Sequence, residues 1–82
     1  MMKNYEFEGK KNICGNRVHE ARRRIHLTQR DLAAKLQIEG VIIERDSISR
    51  IEIGTRFVAD YELRALSSIL KVSVAWLLGM ED

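Results

Sequence analysis

Arg45, Asp46, Ser49 and Arg50 sit within one short stretch, "IIERDSISRIEIGTR" (42–56). On a helix these four positions share a side, while Ile48 and Ile51 fall on the opposite side. A guanidinium fork donates twice to guanine O6 and N7, and a carboxylate accepts from cytosine N4. A polar side of this kind suits the reading of base edges, at about 1–3 kcal/mol of discrimination for a good bidentate pair. The stretch also has strand features, because Ile42, Ile43, Ile48, Ile51 and Ile53 are β-branched and Ile51-Glu52-Ile53 alternates. The helical reading prevails: the other apolar segments have helical spacing, so a strand here lacks a partner, and an isolated strand is unstable in water.

Other reactive groups carry less. Cys14 is the only cysteine, which excludes an intramolecular disulfide and a Cys-rich zinc site. A helix dipole could activate its thiol, but we read it as a small buried hydrophobe. His19 and His26 have no supporting carboxylate pattern and are not read as metal ligands. Arg22, Arg23 and Arg24 could bind phosphate, yet for Arg23 and Arg24 a solvated helix face is the simpler reading. The five glycines are isolated. With no phosphate-cradling loop, nucleophile elbow or HExxH, neither an enzyme nor a cofactor is expected.

With 82 residues, 45% of them apolar, the chain suffices for one small domain. Aromatic residues are few, so aliphatic side chains must fill the interior. The net charge of +2 is unevenly spread: residues 1–40 hold nine Lys/Arg against five Asp/Glu, residues 41–82 five against seven. A basic first half suits a polyanion. No apolar run nears the roughly 20 residues of a membrane span, and "MMKNYEFEGKKN" has no apolar signal region. A cytoplasmic location is expected, with no membrane partner.

The elements that must position these groups follow from periodicity and caps. Residues 1–11 are polar and aperiodic, and read as a flexible arm. Lys3, Lys10 and Lys11 could wrap a duplex, but disorder is the simpler reading. Residues 12–82 form the domain. Ile13, Val18, Ala21 and Ile25 mark a helix over about 12–25. Thr28 and Asp31 form a capping box for a second, about 28–38, ended by Glu39-Gly40. A third covers about 45–53, with Gly54 after it. Asp60 should cap a fourth, about 60–71, and Ser73 a short fifth, 73–78. The fold class is therefore all-α, compact and five-helical.

Three marks in order, "LTQRDLAAKL" (27–36), "SISRIEIGTR" (47–56) and "LSSILKVSVAWLLG" (66–79), resemble the Cro/CI-type, lambda repressor-like helix-turn-helix family. The resemblance spans about residues 13–79. It implies that helices two and three are the helix-turn-helix and that the third enters the major groove. By position it assigns base readout to Arg45, Asp46, Ser49 and Arg50. Phosphate contacts fall to Gln29, Arg30, Ser47, Thr55 and Arg56, and a structural ion pair to Arg22 and Glu52. Three departures stand out. The segment between Leu36 and Ile48 is longer than in common members, so either helix two extends or the turn bulges. Glu44 occupies the usual Ser/Thr cap position, where it caps poorly. His26 replaces a frequent glycine and is mildly strained if φ is positive there.

The expected function is sequence-specific binding of double-stranded DNA by a transcriptional regulator, a repressor acting as a homodimer on a palindromic operator at the nucleoid. Self-association through helix five (Trp76, Leu77, Met80) and burial of that helix in the core both remain open. Two rivals share the scaffold: an antitoxin-like or anti-repressor protein-binding module, and a non-specific nucleoid binder held by phosphates alone.

Overall fold

The computed structural model describes residues 6–82, with five helices in the order α1 (Gly15–Arg24), α2 (Gln29–Ile38), α3 (Arg45–Ile53), α4 (Asp60–Leu70) and α5 (Val74–Leu77). Lys3 lies outside the described residues. Each helix turns an apolar stripe inward: Val18 and Ala21, Leu32 and Leu36, Ile48 and Ile51, Leu66 and Leu70, Trp76 and Leu77. Burying one such aliphatic side chain stabilises the fold by about 1.5–3 kcal/mol. Among the described residues no helix is long and apolar enough to cross a membrane.

Local chemistry explains the helix ends. Thr28 Oγ1 accepts from Asp31 N–H (2.9 Å) and Asp31 Oδ2 accepts from Thr28 N–H (3.0 Å), which completes the capping box. The bond from the Thr28 backbone holds the Asp31 carboxyl below its ordinary value. At the other end of α2, Gly40 N–H donates to Gln37 O and Val41 N–H to Leu36 O, both at 2.9 Å. This is a Schellman closure. Helix α2 therefore does not extend, and the extra length lies in residues 39–44, where Ile43 is buried in the core. His26 has φ 59, a left-handed conformation, so the condition under which it is mildly strained is met.

Some boundaries differ from expectation. Helix α1 starts at Gly15, because Asn12 Oδ1 accepts the Gly15 N–H (2.8 Å), and Ile13 is left exposed ahead of the helix. The N-cap of α4 is Ala59, not Asp60. Glu62 accepts the Ala59 N–H (2.9 Å), so the carboxylate closing that end comes from inside the helix. Ser73 caps α5 as expected, accepting from Trp76 N–H at 2.9 Å.

Residues 6–11 are more ordered than expected, and α5 packs into the core. Residues 6–11 do not form a loose arm: Phe7 and Lys10 pair across a turn, and Lys11 N–H donates to Gly54 O at 2.8 Å. In α5, Trp76 is 8% exposed and Leu77 0%, so both belong to the core of a single chain, while Met80 is 75% exposed. The Arg17 and Arg24 guanidiniums lie over the Trp76 ring, 4.5 and 5.1 Å from its centroid. Trp76 and Leu77 are thus not free to form a dimer contact.

Candidate nucleic-acid interface

Nine residues make α3 about 14 Å long. Ile48 and Ile51 anchor its inner side in the core, which turns Arg45, Asp46 and Arg50 outward. The side chains of Arg45 and Asp46 are 56% and 75% exposed and pair at 3.1 Å. An exposed pair of this kind contributes little to stability, so both groups can exchange this contact for another at small cost. Arg50 Nη2 donates to Ser47 Oγ at 3.1 Å. Ser47 and Ser49 are half-buried on the flanks. Glu44 is the N-cap residue and makes no side-chain cap bond.

The back of α3 is fastened by one carboxylate. Arg22 grips Glu52 through Nε to Oε2 (2.7 Å) and Nη2 to Oε1 (3.0 Å). Gln29 Nε2 donates to the same Oε1 at 3.1 Å. The sequence-derived pair therefore exists, and it joins α1, α2 and α3. Sequence reasoning missed His19, whose Nδ1 lies 2.9 Å from Glu52 Oε1 and 3.1 Å from Arg22 Nη2. That nitrogen donates to the carboxylate when protonated and accepts from the guanidinium when not. A signal was available, since His19 precedes Arg22 by one helical turn.

Burial, the largest single influence, pushes the Glu52 carboxyl up. Hydrogen bonds from Arg22, His19 and Gln29, with the Arg22 charge, outweigh it and hold the group below the usual glutamate value. Glu62 behaves alike: burial raises it, and Arg56 and the Ala59 N–H bring it lower. A depressed folded-state pKa stabilises the fold above the unfolded value and ceases to do so as pH falls through the folded one. Thermal melts should therefore be level near neutrality and decline below the glutamate range, roughly pH 4–5. A melting temperature unchanged from pH 7 to pH 3 would contradict both assignments.

The expected phosphate residues divide. Arg30 and Thr55 are exposed. Gln29 is half-buried, and one amide hydrogen remains after its bond to Glu52. Arg56 is a correction: its guanidinium is bidentate to Glu62, Nη1 to Oε1 and Nη2 to Oε2 at 3.0 Å each, and Nη1 also donates to Phe57 O. It closes the start of α4, so most of its donors are engaged within the chain. Arg24 pairs with Glu20 as well as covering Trp76. The Cys14 thiol is buried and pushed up to about 11 by that burial, so it stays neutral and acts as packing. Among the described residues no group of three His, Cys, Asp or Glu side chains gathers where a metal could bind.

Five helices, with α2 and α3 set as a helix-turn-helix and α3 exposing a polar face, define the lambda repressor-like fold of the Cro/CI type. Among solved structures the chain is similar to the P22 c2 repressor protein, which was crystallised with synthetic operator 9T. The TM-score is 0.71 and the identity 26%, over 85% of this chain and 98% of that one. No family model matches the chain, and no curated protein does.

Proposed function

We propose that this chain is a sequence-specific, double-stranded DNA-binding transcriptional regulator, a repressor that acts by binding and not by catalysis. The observation that carries the reading is the outward polar face of α3, held from behind by the Arg22–Glu52–Gln29 contacts. The similar P22 c2 repressor, itself complexed with an operator, supports it. In this reading Arg45, Asp46, Ser49 and Arg50 meet base edges, and Gln29, Arg30, Ser47 and Thr55 position the helix on phosphates. Asp46 has two uses: it orients Arg45 in the free protein and accepts from a cytosine in the complex. The site of action is the nucleoid.

A helix this short reads only part of one DNA turn. The chain therefore acts as a dimer on a near-palindromic operator, with half-sites about 34 Å apart. Selection from random duplexes tests this directly and should enrich a palindrome. Arg45→Ala and Arg50→Ala should each relax preference at one position by about 1–3 kcal/mol. Gln29→Ala should weaken all duplexes evenly, because phosphate contacts position without specifying. Enrichment of no sequence, with strong salt dependence, would instead mark a non-specific binder. DNA affinity that appears only with a protein partner would mark an antitoxin-like module.

A further inference from the structure

The turn after α3 runs past Gly54, Thr55, Arg56 and Phe57, and its own cation is occupied by Glu62. Two other cations stand there, delivered by the N-terminal segment. Phe7 N–H donates to Lys10 O (2.6 Å) and Lys10 N–H to Phe7 O (3.0 Å), which closes a turn; Lys11 N–H then donates to Gly54 O (2.8 Å). Gly54 has φ 98, and a Cβ there would lie 2.8 Å from Lys10 Cδ. The Lys10 stem thus fills the space a side chain would take. The Lys11 ammonium lies 5.6 Å from the centroid of the Phe57 ring. Asn12 fastens the segment by donating to Ile51 O (3.1 Å) and Arg56 O (2.8 Å).

This docking changes the electrostatics of the helix end. A helix C-terminus carries roughly half a negative charge on its last carbonyls and should repel a phosphate. Here the Ile51 carbonyl and the Gly54 carbonyl beyond it are taken by Asn12 and Lys11, and two lysines stand beside them. Neither lysine is in a salt bridge among the described residues. We propose that Lys10 and Lys11, with Thr55, bind the phosphodiester backbone of a duplex engaged by α3, beyond the helix's C-terminal end. The inference rests on the DNA-binding reading above. It adds cations beside Arg56, whose own charge is balanced by Glu62.

The test uses the full chain, its selected duplex and a salt titration. Lys10→Gln and Lys11→Gln should each make the slope of log Kobs against log salt shallower by about 1.8, one lost contact per half-site of the dimer, and the double variant by about 3.6. Sequence preference should not change. Arg23→Gln, on the exposed face of α1, should keep the parent slope. In the free protein the Lys11 amide should exchange slowly, because it is bonded to Gly54 O. A double variant with the parent slope overturns this proposal alone, as does a Lys11 amide that exchanges as in an unfolded chain. A parent chain that binds no duplex overturns the DNA-binding reading and this one with it.

Discussion

Arg22→Ala is expected to lower stability by about 3–5 kcal/mol, because it strands a buried carboxylate. The Glu52 side chain is 6% exposed, and Arg22 supplies two of its hydrogen bonds and, among the described residues, its only arginine partner. Arg22 Nη1 also donates to Leu27 O at 2.8 Å, so the turn before α2 loses a contact too. In a domain of this size each kcal/mol moves the melting temperature by about 4–8 °C, so the loss should exceed about 10 °C. Replacing both partners by methionine should recover most of it, since the cost lies in the unpaired charge and not in the absence of the pair. Chemical and thermal denaturation of both variants decide the matter. A single variant within about 1 kcal/mol of the parent would show that this node does not support the fold.

The second large effect is expected at Gly15. Helix propensity alone favours alanine there by about 1 kcal/mol. The close approach of two helices opposes it: a Cβ at Gly15 would lie 2.2 Å from Ile51 O and 3.0 Å from Glu52 O, both backbone atoms of α3. Backbone cannot rotate aside as a side chain can, so α1 and α3 must move apart. Overpacking of this kind costs about 1–3 kcal/mol or more, and sterics should override propensity. Gly15→Ala should therefore melt earlier than the parent. It should also bind every duplex more weakly, because the shift carries Arg45 and Arg50 with it. A variant as stable as the parent would mean that the crossing relaxes without strain.

What was legible in the sequence was local. Thr28 with Asp31 announces the start of α2, and Gly54 announces the end of α3, whose expected span of 45–53 matches Arg45–Ile53. Both signals lie within a few residues of what they control. The misreadings involve contacts that cross the chain or a turn. Nothing near Asn12 reveals that it reaches Ile51 and Arg56, so residues 6–11 looked unanchored. Arg56 follows a helix and looks free, yet Glu62 claims it from the next helix. The same carboxylate displaces Asp60 as the group that closes α4. Trp76 showed no periodicity that could separate an interior residue from an exposed one, because α5 is a single turn. The pair of Arg22 and Glu52 is legible only through the family resemblance, and the contact of His19 with Glu52 again crosses from α1 to α3.

Trp76 and Leu77 are consumed inside one chain, so in the proposed dimer these two side chains do not need a second copy to be buried. For a regulator of the proposed kind, twin half-sites filled by chains that arrive folded but single are occupied, at low saturation, in proportion to the square of their concentration. A modest fall in abundance then empties the duplex more than proportionally. Dilution by growth, or turnover by proteases, becomes a threshold for release.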